Sequence, residues 1–154
     1  MTQSPTKKIT KNNLLFHLGL LTRNWRKVLN ADFQNCGLTE ATWRPLLHLS
    51  HLGDGIRQKD LAASVGIEGP SMVRLVETLI AKGLVHRAED RTDRRAKLLS
   101  LTDMGHSMVA RIRETVVFRE EQLLNNFSGS ELEQLTCLVE RLETAVADAR
   151  QKGK

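Results

Sequence analysis

The stretch QKDLAASVGIEGPSMVRLVETLIAKGLVHR, residues 58–87, decides the fold. Gln58 to Val65 reads as a short helix with Leu61, Ala62 and Val65 turned inward. Gly66-Ile67 is a tight turn. A second helix starts near Gly69-Pro70, because proline in a first turn lacks only an N–H that the helix leaves unpaired anyway. It carries Val73, Val76, Leu79 and Ile80 inward as far as Lys82, where Gly83 makes a left-handed stop. Two strand-like pieces follow, Leu84–Arg87 and Lys97–Leu101, around the polar stretch Ala88–Ala96, which makes a hairpin. Helix, glycine turn, helix and hairpin in this order form a winged helix–turn–helix.

Upstream, a helix is expected from about Lys11 to Asn35, with Leu14, Leu18, Leu21, Trp25, Val28 and Leu29 on one stripe and Gly37 at its end. Thr39 caps the next helix, whose inner side is Trp43, Leu46, Leu47 and Leu49. Pro45 is expected to shorten or kink it. Downstream, Thr102 caps a long helix over Asp103–Asn126, and Ser130 with Glu133 forms a capping box for a last helix striped by Leu132, Leu135, Leu138, Val139, Leu142 and Val146. The expected class is mainly α, a winged helix–turn–helix with a two-stranded β wing and a helical dimerisation domain. Its parts are a flexible tail at 1–10, a dimerisation region at 11–36 and 103–150, and the winged region at 37–102.

Composition agrees. Of the 154 residues 40% are apolar and only 4% aromatic, so Leu and Val fill the core, as packed helices favour. No apolar run approaches the length of a membrane span. Met1–Lys11 has lysines but no apolar run after them, so it does not read as a secretory signal, and a cytoplasmic protein with no membrane partner is expected. Cys36 and Cys137 have neither disulfide nor zinc spacing; Cys137 is expected in a helical core, and nothing in the spacing supports a redox role for Cys36.

Charge is segregated. Residues 55–97 carry nine Lys/Arg against six Asp/Glu, whereas residues 98–149 carry four against nine. A basic centre suits an anionic partner, nucleic acid first, since neutralised phosphates release counterions. The exposed face of the second helix of the pair presents Gly69, Pro70, Ser71, Met72 and Arg74. The small residues permit close approach, the first amides suit a phosphate, and Arg74 reads a guanine or clamps a phosphate. The hairpin tip, residues 91–97, packs four cations around one acid: Arg91, Arg94, Arg95 and Lys97 with Asp93. Arginines there suit a narrow, electronegative minor groove, and pairing of Asp93 with Arg95 stiffens the bend. A solvated helix face and a solvated charged loop are the plainer alternatives.

These residues carry a resemblance. Asp60-Leu61-Ala62, Val73-Arg74-Leu75-Val76, Leu79, Lys82-Gly83-Leu84-Val85, Arg87, Asp93-Arg94-Arg95-Ala96-Lys97 and Leu101-Thr102 are similar to the MarR family of regulators. Gly66-Ile67-Glu68, Pro70-Ser71 and the wing resemble its SlyA-like branch. The likeness spans roughly residues 12 to 150, with Pro45 and the tail before Asn12 as departures. It implies a homodimer on near-palindromic double-stranded DNA, with Arg95 in the minor groove, Arg94 and Arg91 at phosphates, and Ser71 and Arg74 on the recognition helix. It also implies a crevice for a small aromatic carboxylate such as salicylate, at Arg23, Trp43 and Arg74. Plain core packing is the competing role for Trp43.

No catalytic residue, metal site or cofactor is expected. There is no glycine-rich phosphate loop and no H-E-x-x-H. His48 and His51 share a helix face, but no cysteine or acid completes a metal set. A winged-helix module for protein partners is the other alternative, though it has no use for arginines at the wing tip.

Overall fold

The computed structural model describes residues 8–35 and 37–153. Cys36 and most of the expected tail lie outside them. The chain divides into two compact units, one ending at Val116 and the other running from Val117.

In the first unit, α1 (Leu14–Gln34), α2 (Glu40–Leu52), α3 (Gln58–Val65) and α4 (Gly69–Ala81) alternate with β1 (Ile56–Arg57), β2 (Val85–Glu89) and β3 (Lys97–Leu101), followed by the start of α5 (Asp103–Leu124). The strands form one antiparallel sheet in the order β1-β3-β2. The wing pairs Val85 with Leu101 through Glu89 with Lys97. The two-stranded wing expected from sequence is therefore extended by β1, which pairs Ile56 with Leu99 and Arg57 with Leu98. A two-residue strand has no periodicity of its own to detect.

The turn between α3 and α4 is held as the sequence suggests. Gly66 adopts φ 75° and ψ 37°, the left-handed region that a side chain resists, and its N–H reaches the carbonyl of Ala62 at 2.9 Å. Leu61, Val65, Met72, Val76 and Leu79 from this pair join Phe33, Trp43, Leu46, Leu49, Leu99 and Ile112 in one core. Met72 corrects the expected helix face: it is 1% exposed, whereas Val73 is 45% exposed. The helical phase is one residue off the expected one, with Met72 in line with Val76 and Leu79.

Pro45 neither shortens nor interrupts α2, which runs unbroken through it. The ring removes one backbone hydrogen bond, but Trp43, Pro45, Leu46 and Leu49 are all buried. Burying each large side chain contributes roughly 1.5–3 kcal/mol, enough together to offset the loss. Thr39 stands at the N-cap without capping through its side chain; its hydroxyl meets that of the buried Thr42 at 3.1 Å. Thr102 does cap α5, accepting from the N–H of Gly105 at 3.0 Å while donating to the carbonyl of Gly83 at 2.6 Å.

The second unit holds the end of α5 and α6 (Gly129–Lys152). Its capping box is built by Ser128 and Glu131, not Ser130 and Glu133, so the helix begins two residues earlier than expected. Both positions fit the S-x-x-E pattern, which alone does not choose between them. No residue of α6 is buried, and Cys137 is exposed rather than in a core. Leu135, Leu138, Val139 and Val146 stand 40–52% exposed. No helix of the described residues is long and apolar enough to cross a membrane.

Candidate nucleic-acid interface

Acidic side chains build the wing, and they leave its arginines alone. At its root Lys97 Nζ meets Glu89 Oε1 at 2.7 Å across the strand pair. Beyond it, Asp90 Oδ1 accepts from the Thr92 N–H at 2.9 Å and the Thr92 hydroxyl at 2.7 Å, and Asp90 Oδ2 accepts from Arg57 at 3.2 Å. These bonds, those of Thr92 foremost, hold the Asp90 carboxyl down at about 2. Its charge stays in place at any physiological pH. The hydrogen bond from Lys97 likewise lowers Glu89.

Asp93 closes the tip differently from expectation. Its carboxylate accepts the backbone N–H of Arg95 at 3.1 Å, and its carbonyl accepts from the N–H of Ala96 at 2.8 Å. It bends the chain as an Asx turn and does not engage the guanidinium. Arg91, Arg94 and Arg95 are exposed, and among the described residues their guanidiniums have no hydrogen bond or ion pair.

The α4 face shows the same economy. Pro45 aside, Pro70 is the one proline in a helix of the described residues, and it lies in the first turn of α4, where Glu68 gives no side-chain cap. Gly69, Pro70 and Ser71 are exposed, and open space surrounds the position of a Cβ on Gly69. Arg74 is exposed one turn on, with no partner for its guanidinium among the described residues. Arg87 of β2 binds Glu77 of α4 at 2.6 Å, which fastens this helix to the wing.

The three residues expected in a carboxylate crevice fare unequally. Arg23 and Arg74 are exposed. Trp43 is 3% exposed, packs on Phe33 with ring centroids 5.1 Å apart, and donates its indole N–H to Asn30 Oδ1 at 2.7 Å. Its polar edge is satisfied and its faces are covered, as core packing requires. His48 bonds Ser64 at 2.7 Å, and burial, then Arg44 and His51, lower its pKa. Among the described residues no group of three His, Cys, Asp or Glu is placed to hold a metal ion.

Arg57, Gln58 and Lys59, which sequence reading passed over, lie against the wing. With Arg95 and Lys97 they line a concavity of about 250 Å³. Only the neighbouring β1 pairing brings them there, and no motif announces it.

A helix pair whose second member is fastened to a basic hairpin defines a winged helix–turn–helix. Residues 37–96 match the model of the MarR family. The chain is 32% identical to the transcriptional regulator PA3341, over 86% of this chain and 97% of that one, with a TM-score of 0.77. The chain belongs to the MarR family. Its fold is also that of a MarR protein from Peptoclostridium difficile (21% identity, all of both chains, TM-score 0.82) and of the transcriptional regulator SlyA (21% identity, 92% of this chain and 99% of that one, TM-score 0.79).

Proposed function

We propose that this protein is a homodimeric, sequence-specific regulator that binds near-palindromic duplex DNA. The observation that carries it is the division of labour in the wing. Asp90, Asp93 and Glu89 are engaged in folding the hairpin, whereas Arg91, Arg94 and Arg95 are exposed and unpaired among the described residues. Arg95 enters the minor groove, and Arg94 and Arg91 sit at flanking phosphates. Gly69, Pro70, Ser71 and Arg74 face the major groove, with the first free amides of α4 toward a phosphate. Met72 serves this face from beneath, as a core anchor.

Dimerisation is supported by the apolar side chains left uncovered. Leu15, Phe16 and Leu21 of α1 are 62–67% exposed, and α6 buries nothing. Helices of that kind need a partner surface. A two-fold dimer places two recognition helices on half-sites about one helical turn apart, roughly 34 Å. The wing and the Gly66–Ser71 turn support membership of the SlyA-like branch. Release by a small aromatic carboxylate such as salicylate belongs to the same proposal, through the exposed guanidiniums of Arg23 and Arg74 and without Trp43.

Selection of bound fragments from genomic DNA tests this function. An enriched inverted repeat with half-sites one turn apart is the expected result. An enriched motif without two-fold symmetry, or no enrichment, would overturn it.

A further inference from the structure

We infer that the root of the wing holds a phosphate of the duplex backbone, in a site that adjoins the tip through Arg95 and does not involve α4. β1, the start of α3 and the wing enclose a concavity of about 250 Å³, lined by Arg57, Gln58, Lys59, Asp93, Arg95 and Lys97. The site rests on the DNA-binding proposal and extends it to Arg57, Gln58 and Lys59, which have no role there.

Its lining is cationic. Four basic side chains face one carboxylate, and Asp93 spends an oxygen on the N–H of Arg95. Arg57 and Lys97 are balanced by Asp90 and Glu89. Lys59 and Arg95 have no acid partner among the described residues, so they supply the net charge. Gln58 also lines the site, and its amide NH₂ makes no hydrogen bond among the described residues, so it is free to donate to an anion beside Lys59. The start of α3 adds its own polarity, because Arg57 gives it no side-chain cap.

A phosphate diester fits this chemistry: one negative charge, tetrahedral oxygens and a need for donors. Arg95 belongs both to this wall and to the exposed tip. A phosphate seated at the root fixes how deep Arg95 reaches into the adjoining minor groove. The site thus sets register, as backbone contacts do, without reading bases.

The test compares Lys59→Gln with Lys82→Gln, an equal charge change at the far end of α4, on one duplex over a range of salt. Arg95 stays intact because it has a role at the tip. Lys59→Gln is expected to weaken binding about tenfold and to flatten the slope of log K against log salt by about 1.8, one phosphate per subunit. Lys82→Gln is expected to weaken binding less than about twofold, and Gln58→Glu more than Lys59→Gln does. Equal effects of Lys59→Gln and Lys82→Gln would overturn the site, while the DNA-binding proposal stands if Arg94→Ala/Arg95→Ala still lowers affinity on the order of 100-fold. Should the wild type ignore duplex yet shift its Lys59 and Gln58 amide resonances with inorganic phosphate, free phosphate is the ligand and the backbone site is overturned.

Discussion

Arg57 of β1 reaches Asp90 at the root of the wing, 3.2 Å between Nη2 and Oδ2. Two residues paired with the middle strand thereby brace the loop that carries the free arginines. Asp90 also holds Thr92 through two hydrogen bonds, and its carboxyl is drawn down to about 2.

The acid limit of the wing follows. A depressed carboxylate stabilises the fold above its ordinary pKa, near 3.8, and that contribution is lost as pH falls through about 2. The Thr92 amide resonance should therefore titrate with a midpoint near 2, and Thr92→Val should move the Asp90 midpoint upward. A wild-type midpoint at 3.8 would show that these bonds do not form.

Gly105 lies directly on the backbone of Leu84: a Cβ at 105 would overlap the Leu84 carbonyl oxygen. Backbone cannot swing aside as a side chain does, so Gly105→Ala forces α5 away from the start of the wing. We expect a loss of about 3 kcal/mol in urea unfolding. A change within about 0.5 kcal/mol, the usual range of a neutral surface substitution, would contradict this close approach.

Trp43→Phe keeps the packing on Phe33 but leaves Asn30 Oδ1 without its donor. The expected cost is about 1–3 kcal/mol by thermal or denaturant unfolding. In a Trp25→Phe background, where Trp43 is the remaining tryptophan, salicylate should leave its emission unchanged after inner-filter correction. A shifted spectrum would mean that Trp43 lines a ligand crevice after all.

Leu138 is 52% exposed on a helix that buries nothing. A carboxylate there opposes burial in a dimer interface but costs an isolated subunit little. Leu138→Asp should shift sedimentation from dimer toward monomer with helicity kept. A variant that sediments like the wild type would move the interface elsewhere.

Much of this architecture was legible in the chain. The bounds of α3 and β3, the Gly66 turn and the Thr102 cap follow from local chemistry, where one residue type suits one backbone position. Met72 was misplaced because Met72 and Val73 are adjacent apolar residues, and a pattern alone cannot fix helical phase between them. Pro45 was over-read because local propensity yields to four buried side chains around it. The tip arginines were visible as a charge run. That its acids bind backbone and root, leaving those arginines free, was not, because it depends on distances across the hairpin. Arg57 and Lys59 escaped notice because a two-residue strand brings them to the wing.

The most direct test is equilibrium binding of the wild type and Arg94→Ala/Arg95→Ala to one selected duplex at fixed salt, with sedimentation and circular dichroism in parallel. Both side chains are exposed at the tip, so their removal should leave folding and dimerisation intact. We expect affinity to fall on the order of 100-fold, with a shallower salt dependence. Unchanged affinity would contradict the placement of the wing on DNA.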